Sequence, residues 1–343
     1  MTIIKVIKRP VLTGFMILFL LLAVFTFWPR SASVKNNPML VEKGSRPLLI
    51  AHGGGNLEFP DNTLEAFYNA YSVDKNVKME TDVSITKDGV VILSHDRTLD
   101  RKTTLQNAYI HEINYQDLMD NEVDFNYHNP INDEQINVTG EVRKYKSQLF
   151  NREVTPLDVT YPEGVEPRHE TKFLATTLEE LIKAFPNNLI NVEIKQSGDL
   201  GLRALATVIK LLDDLDAEYN TFARIVLASF HKEVYEQLVH LKNTDYPQLL
   251  FSPEESGVIT FFLLQTFNLD IFFKDRIAVF QLPDIFLVSN RGFINSAHRN
   301  NIAVHYWTIN DEETMRKLAK RGADGIMTDL PHLLKQVYDD MYE

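Results

Sequence analysis

The sequence predicts an α/β protein built as a (β/α)₈ TIM barrel, with a small inserted subdomain and one transmembrane helix in front of the barrel. Three observations support this prediction. Eight short strand-like runs alternate with helical segments along the 343 residues. Polar side chains that can carry chemistry follow several of these runs, which is where such barrels place their active sites. An uncharged apolar run lies near the N-terminus.

Composition restricts the metal chemistry and the partners. The chain has no cysteine, so it has neither disulfides nor a thiolate metal site. Its formal net charge of −12 argues against nucleic acid as a partner, because phosphate backbones bind to basic surfaces. A strongly acidic domain that handles anions needs a local positive feature, such as a metal ion. The first 35 residues carry only basic charges, at Lys5, Lys8, Arg9, Arg30 and Lys35.

The N-terminal region contains 18 uncharged residues from Val11 to Trp28, at the lower limit for a membrane-spanning helix. Because basic residues precede this run, the positive-inside rule leaves the N-terminus in the cytoplasm and everything after Trp28 outside. A signal peptide cleaved near Ser31-Ala32-Ser33 is the alternative. We therefore expect a cytoplasmic N-terminus, a transmembrane helix, a linker and an extracellular barrel, at residues 1–9, 10–28, 29–46 and 47–338.

The strand-like runs repeat through the rest of the chain. They begin near residues 48, 77, 189, 224, 248, 277, 302 and 324. Helical segments follow them, and Thr63 and Thr177 stand where helix N-caps are expected. From about residue 104 to 171 the alternation weakens and the composition becomes rich in Asn, Asp, Tyr and His. We interpret this stretch as an insertion with its own small structure.

The second strand, near residue 77, carries Glu80 and Asp82 two positions apart, so both carboxylates point to the same face. Two bare carboxylates on a buried strand repel each other and are costly to desolvate, and a divalent cation would remove that penalty. A turn at Lys87–Gly89 leads into a short run that ends at His95. Taken alone, this stretch fits a half-exposed hairpin with solvated acids equally well.

Polar residues at the other strand ends favour the functional interpretation. A random scatter of polar residues would not fall repeatedly at the carboxyl ends of predicted barrel strands. The residues at or near these ends are His52, Glu80, Asp82, Glu193, Lys195, Ser229, Trp307 and Asp329.

Roughly residues 47–338 contain an ordered set of short motifs, each weak alone and highly specific together. They are His52-Gly53-Gly54, Pro60-Asp61-Asn62-Thr63, Glu80-Thr81-Asp82-Val83 with Thr86 and Asp88-Gly89, His95-Asp96-Arg97-Thr98-Leu99-Asp100-Arg101, Glu193-Ile194-Lys195, Ser229-Phe230, Trp307-Thr308-Ile309-Asn310 and Asp324-Gly325 through Thr328-Asp329-Leu330-Pro331. In this order the motifs resemble those of the glycerophosphodiester phosphodiesterase family.

The resemblance implies a barrel enzyme that cleaves glycerophosphodiesters to glycerol 3-phosphate and an alcohol. It implies that Glu80, Asp82 and Glu193 hold one divalent metal, Ca²⁺ or Mg²⁺, which suits a hard, all-oxygen ligand set. His52 and His95 resemble the acid/base pair of the family. In the mechanism inferred for the family, the glycerol 2-hydroxyl attacks phosphorus and water opens the resulting cyclic phosphate. Two further residues resemble substrate-binding positions, Lys195 for the phosphate and Trp307 for the substrate.

Two positions depart from the family pattern. The family arginine after the first histidine is Gly53 here, which removes a bidentate phosphate ligand. We expect the backbone N–H groups of Gly53, Gly54 and Gly55 to form an anion nest in its place. The family glutamate of the next motif is Asp61, one methylene shorter, which alters the reach of a carboxylate expected near the metal or the substrate.

The segment from Gly257 to Phe273 is strongly apolar but is interrupted by Gln265, Asn268 and Asp270. We expect a buried barrel helix rather than a second membrane span. The alternative is a lip that dips into the membrane or binds an acyl chain, which would favour a lysophospholipid substrate.

Three functional interpretations remain open. The first is an outward-facing, membrane-tethered phosphodiesterase acting on small deacylated lipids, lysophospholipids or glycerol-phosphate wall polymers. The second is a non-catalytic or altered-specificity relative that binds lysophospholipids or glycerol-phosphate wall polymers. The third, a metal-independent phosphoinositide-cleaving barrel enzyme, is disfavoured by the three carboxylates. The sequence leaves open the head group, the metal and the oligomeric state.

Overall fold

The structure is a computed structural model that describes residues 13–17, 20, 25, 28–132 and 137–342. Eight parallel strands form a barrel. The ring closes where the Ala278 N–H donates a hydrogen bond of 2.9 Å to the Phe251 carbonyl. The prediction of a (β/α)₈ barrel is confirmed, and each strand begins within two residues of its predicted position. The strands are β1 Leu48–His52, β2 Lys78–Ile85, β6 Ile190–Ile194, β7 Ile225–Ala228, β8 Leu250–Phe251, β9 Val279–Pro283, β10 Ala303–Trp307 and β11 Gly325–Thr328. Around the barrel they follow the order β8-β7-β6-β2-β1-β11-β10-β9.

Helices alternate with these strands and cover the barrel. Thr63 caps the first of them, since its side chain accepts a hydrogen bond from the Ala66 N–H at 3.3 Å. Thr177 and Glu180 form a capping box at the third. The helices are α1 Leu64–Val73, α2 Tyr115–Asp120, α3 Leu178–Ala184, α4 Gly198–Tyr219, α5 Thr221–Arg224, α6 Lys232–Asn243, α7 Glu255–Thr266, α8 Arg291–Arg299, α9 Glu312–Arg321 and α10 Pro331–Tyr342.

The chain between β2 and α3 leaves the barrel path. Strand β3, Val91–Leu93, returns antiparallel along β2 after the turn at Gly89, which has a φ of 81°. A second two-stranded sheet follows, made of β4 Lys146–Ser147 and β5 Arg152–Glu153. This stretch packs around an apolar cluster that is separate from the main core. The cluster includes Phe59, Phe125 and Phe173.

Residues 29–46, predicted as a linker, lie against the amino-terminal end of the barrel. The Ser33 hydroxyl donates a hydrogen bond of 2.7 Å to the Ile277 carbonyl, and the Asn37 side chain donates one of 2.6 Å to the Ala278 carbonyl. Met39 is completely buried beneath the barrel among the first residues of several strands. The amino-terminal end of the barrel is therefore closed by the chain segment that leads into it.

The transmembrane helix predicted at residues 10–28 falls mostly outside the described residues. Among the residues that are described, no helix has both the length and the apolar character needed to cross a membrane.

The aromatic core beneath α7 gives a test of the packing. Phe261 is fully buried, and its ring lies 4.8 Å from that of Phe280 and 5.5 Å from that of Phe293. We expect Phe261→Ala to lower the free energy of unfolding by about 3–5 kcal/mol, because it leaves a cavity. Ile259→Ala, on the exposed face of the same helix, should change it by less than about 0.5 kcal/mol. Urea denaturation of both variants measures the difference, and equal losses would contradict this packing.

Candidate functional site

Strand register brings the predicted site residues to one level at the carboxyl end of the barrel. His52 on β1 pairs with Glu80 on β2, and Asp82 pairs with Glu193 on β6. Because side chains alternate along a strand, Glu80 and Asp82 share a face, and so do Glu193 and Lys195. Three neighbouring strands therefore bring five functional side chains to the barrel mouth.

Glu80, Asp82 and Glu193 form an acidic cluster in which one carboxylate oxygen from each lies within 4.8 Å of the others. Burial and the nearby charge of Asp82 raise the pKa of Glu80 to about 7. Burial also raises the pKa of Glu193. The cluster thus carries negative charge that the protein itself does not fully compensate. Three converging oxygen donors of this kind can hold a hard divalent cation such as Ca²⁺ or Mg²⁺.

Lys195 is the cation nearest to this cluster. Its Nζ lies 2.8 Å from Glu193 Oε1 and 3.2 Å from Asp82 Oδ1. Burial lowers the pKa of Lys195, but the charges of Asp82 and Glu193 outweigh burial and raise it above its ordinary value. In turn, Lys195 is the first of the nearby cations that hold the pKa of Asp82 below its usual range, against the effect of burial. The lysine therefore remains charged at the barrel mouth.

His52 is oriented by Asp329, at the end of β11. His52 Nδ1 lies 2.6 Å from Asp329 Oδ1, and the other oxygen of Asp329 accepts a hydrogen bond of 2.7 Å from Asn310. His52 Nε2 lies 3.9 Å from Glu80 Oε2. Burial lowers the pKa of His52, but the hydrogen bond to Asp329 and the surrounding carboxylates raise it to about 10. Asp329 therefore fixes the ring so that Nε2 faces the acidic cluster.

His95 has a carboxylate partner of its own. Its Nδ1 lies 2.8 Å from Oδ1 of Asp96, which is almost completely buried, and the hydrogen bond between them raises the pKa of His95. Asp96 also accepts a hydrogen bond from Arg101 Nε. The two histidines predicted to be catalytic are thus each backed by an aspartate, and both act electrostatically on Asp82.

The Asp61 carboxylate, expected near the metal or the substrate, is bound by two cations of the protein itself. Both of its carboxylate oxygens accept hydrogen bonds from Arg101, at 3.0 and 3.1 Å, and Lys102 lies beside them. Burial raises the pKa of Asp61, but Arg101 and Lys102 outweigh burial and hold it well below its usual range. In the structure Asp61 therefore positions Arg101.

The anion nest predicted at Gly53, Gly54 and Gly55 is wrong. The Gly53 N–H donates to Glu80 Oε2 at 3.1 Å. The N–H groups of Gly54 and Gly55 donate to the carbonyls of Ala51 and His52, at 3.3 and 2.8 Å. All three N–H groups donate hydrogen bonds to acceptors within the protein. The loop therefore orients Glu80 and does not form a phosphate-binding nest.

Trp307, the last residue of β10, lies at the mouth but apart from the acidic cluster. Its ring meets the Phe230 ring edge-on at 6.3 Å. Both residues line an apolar groove of about 360 Å³. The other walls of this groove come mainly from α7 and from the loop after β9, and include Val258, Phe262, Pro283 and Leu287.

Three residues of the site, Asp96, Arg101 and Asn62, were not predicted as functional, and Asp329 was noted only for its place at a strand end, although all four lie in the motifs that indicated the family. Asp96 and Asp329 position the histidines. Arg101 bridges Asp96 and Asp61, while Asn62 donates to Asp82 at 3.2 Å and accepts from its N–H. Their signal was their place in those motifs, next to residues whose roles were assigned.

The sequence model described as the glycerophosphoryl diester phosphodiesterase family matches residues 52–333. The chain belongs to this family. The enzyme class predicted from the motifs, a glycerophosphodiester phosphodiesterase, is thereby confirmed.

Named relatives agree with this family assignment. A glycerophosphodiester phosphodiesterase of Caldanaerobacter subterraneus subsp. tengcongensis is 25% identical, over 84% of this chain and 96% of its own. A human lysophospholipase D is 24% identical, over 83% of this chain and 84% of its own. The solved structure of an Oleispira antarctica phosphodiesterase in complex with the product sn-glycerol-3-phosphate superposes with a TM-score of 0.57. It is 19% identical and covers 86% of this chain and 97% of its own.

The His95–Asp96 pair of this phosphodiesterase gives a pH prediction. Asp96→Asn removes the carboxylate whose hydrogen bond, and to a lesser extent whose charge, raises the pKa of His95, so we expect that pKa to fall, as measured by NMR titration of the imidazole. The stabilisation that protonated His95 gives is present below its unfolded-state pKa and is lost as pH rises through its raised folded-state pKa. An unchanged His95 titration would contradict the pairing.

The Asp61–Arg101 pair of this phosphodiesterase gives a stability prediction. Asp61→Ala removes the carboxylate that pairs with buried Lys102 and leaves Arg101 with Asp96 alone, and we expect it to lower the free energy of unfolding by about 3–5 kcal/mol. Asp61→Glu keeps the charge and should lose clearly less. Urea denaturation ranks the two variants. Equal losses would show that the shape of the Asp61 site matters and its charge does not.

Proposed function

We propose that this chain hydrolyses glycerophosphodiesters to glycerol 3-phosphate and an alcohol, with one bound divalent metal and two acid/base histidines, on the outer side of a membrane. One observation carries the proposal. His52 and His95, each backed by an aspartate, face an acidic cluster that can hold the metal. The family establishes the class of reaction, while the roles of individual residues, the metal and the location are the parts proposed here.

Each group has a defined task in the proposed reaction. One histidine takes the proton of the glycerol 2-hydroxyl as its oxygen attacks phosphorus, and the other protonates the departing alcohol as its P–O bond breaks. Water then opens the cyclic phosphate with these tasks reversed, which yields glycerol 3-phosphate. A divalent cation held by Glu80, Asp82 and Glu193 would supply Lewis-acid stabilisation of charge on the phosphoryl oxygens. Lys195, kept charged by its neighbours, adds a second positive centre for the same charge.

Asp329 and Asp96 fix the two imidazole rings through Nδ1, which leaves each Nε2 free to exchange protons with the substrate. His52 Nε2 lies beside Glu80, so the first histidine works close to the predicted metal ligands. Trp307 and Phe230 give the mouth an apolar side that suits the part of the substrate away from phosphorus.

The proposed location rests on the sequence at the N-terminus. The apolar run from Val11 to Trp28 follows three basic residues, so the positive-inside rule places the barrel outside the cell membrane. Among the described residues of this run, Phe15, Ile17 and Leu20 are large and apolar, and each is more than half exposed. Side chains of this kind suit a lipid environment.

Gly53 supports a second candidate function, a relative that binds these ligands without turning them over. The family arginine at this position is absent, and the N–H groups of the loop are occupied by the protein itself. Weakened phosphate binding would then limit catalysis. The experiment below separates the two candidates.

The test uses the full chain in detergent with glycerophosphocholine, glycerophosphoglycerol and a lysophospholipid, each with Ca²⁺, Mg²⁺ or a chelator. Release of glycerol 3-phosphate and of free alcohol is followed. We expect turnover only with metal. Glu80→Gln should lower kcat/KM by roughly 100-fold or more, because a metal ion supplies several kcal/mol of charge stabilisation. Glu179→Gln, a half-exposed acid on α3, is the matched control and should leave turnover unchanged.

The outcomes point to different conclusions. Turnover that survives both the chelator and Glu80→Gln would contradict the metal-dependent mechanism. Metal binding without turnover of any substrate would favour the non-catalytic relative.

A further inference from the structure

One side of the barrel carries exposed apolar residues along its whole height. Ile259, Leu263 and Phe267 lie four residues apart along α7 and its end, so they share one face of that helix, and each is at least half exposed. We define the apolar stripe as these three residues, Phe272 below them, and Ile285, Phe286 and Leu287 of the loop after β9 above them. Phe286 is 85% exposed.

The prediction of a buried helix at Gly257–Phe273 is therefore wrong for one of its faces. Phe261 faces the core, but the opposite face, which should be polar on a helix facing water, is apolar as well. A contiguous exposed apolar surface of this kind marks a contact with a partner or with a membrane.

The lower end of the stripe meets the N-terminal apolar segment. The ring of Phe25 packs edge-on against the ring of Phe272, with centroids 5.5 Å apart. Arg30 forms a two-pronged ion pair with Asp270, at 2.8 and 3.1 Å, and also donates a hydrogen bond of 2.6 Å to the Phe25 carbonyl. The side chains of Arg30 and Asp270 are 2% and 0% exposed. The ion pair thus joins the end of the segment to the foot of the stripe.

The chain that follows this junction is fixed to the barrel by hydrogen bonds. Three residues beyond Arg30, the backbone and the hydroxyl of Ser33 are hydrogen-bonded to Asn300 and Ile277, and Asn37 is bonded to Ala278. A membrane that holds the N-terminal segment must therefore lie next to the side of the barrel that carries the stripe. Because the stripe continues into the N-terminal apolar segment, the lipid bilayer is the partner that we expect to cover the stripe.

The upper end of the stripe leads to the barrel mouth. Ile259 and Leu287 also line the apolar groove that ends at Phe230 and Trp307. An apolar path thus runs from the junction with the N-terminal segment, along α7, to the residues that flank the proposed catalytic site.

We propose that the apolar stripe docks on the outer leaflet of the membrane that holds the N-terminal segment. The barrel then lies on its α7 side, and its mouth opens at the membrane surface. The substrate that fits this arrangement is a glycerophosphodiester carrying one acyl chain, with the chain in the groove and the phosphodiester at the acidic cluster. The proposal rests on the membrane anchoring and the phosphodiesterase chemistry proposed above.

Because the chain has no cysteine, single substitutions give unique labelling sites. The full chain is reconstituted into phosphatidylcholine vesicles with a fluorophore on one cysteine, and quenching by spin-labelled lipids is measured. The test positions are Leu263→Cys and Phe286→Cys. Leu20→Cys reports insertion of the N-terminal segment. Asp214→Cys, an exposed position near the end of α4, reports a surface outside the stripe.

We expect quenching at positions 20, 263 and 286 and none at 214. Quenching at position 20 alone would overturn the docking while leaving the anchor in place. No quenching at position 20 would overturn both. Disulfide cross-links between copies of Leu263→Cys, in place of quenching, would also overturn the proposal and assign the stripe to a second copy of the chain.

A second measurement tests the substrate class. The double variant Leu263→Ser/Phe267→Ser, outside the groove, should lower turnover of a lysophospholipid in vesicles by roughly tenfold or more, because each loses apolar burial in the bilayer. Its turnover of water-soluble glycerophosphocholine should be unchanged. Leu157→Ser, also exposed but outside the stripe, should alter neither activity.

Equal losses on both substrates by the double variant would overturn the docking proposal. Absence of turnover on both substrates by the wild-type chain would count against the proposed function instead, and the quenching result would still decide the docking.

Discussion

The register between neighbouring barrel strands is the constraint on which the site depends. His52 is level with Glu80, and Asp82 is level with Glu193, because β1, β2 and β6 pair in parallel with this offset. A shift of one residue between β2 and β6 would turn both carboxylates of β2 to the other face and would separate the cluster. The apolar residues of the same strands fix the register, since their burial in the core depends on it. Stability of the barrel and geometry of the site are thus set by the same pairing.

In the site, acidic side chains pair with basic side chains or with histidines. Asp329 holds His52, Asp96 holds His95, Arg101 joins Asp96 to Asp61, and Lys195 lies between Asp82 and Glu193. Glu80 is the exception, because its carboxylate accepts a hydrogen bond from the Gly53 N–H and has no ion pair closer than the 3.9 Å to His52 Nε2 among the described residues. Burial and the charge of Asp82 raise the pKa of Glu80 to about 7, and the charge of His52 and the Gly53 N–H offset only part of this rise. In a buried site an uncompensated carboxylate is the position where a cation gains most.

The sequence was sufficient to predict the barrel, its eight strands and the groups that converge at its mouth, because strand periodicity and strand order determine which side chains meet. The sequence was insufficient where the contacts of a side chain depend on a residue that is distant along the chain. Asp61 was expected near a ligand, but Arg101, forty residues away, occupies both of its oxygens. For the segment of α7 the sequence favoured a buried helix and kept an exposed apolar lip as the alternative, since an apolar run in a sequence does not show which of its residues the core can accommodate.

The two departures from the family pattern are in contact and are best understood together. Gly53 has a φ of 56°, and a Cβ built at this position would lie 3.0 Å from Asp61 Cβ. A side chain at position 53 would therefore press on the residue that holds Arg101, while its backbone adopted a conformation that favours glycine. Substitutions at touching residues are not additive. An arginine at position 53 alone would test crowding against Asp61 as much as phosphate binding, so the missing guanidinium and the shortened carboxylate form one structural feature of this chain.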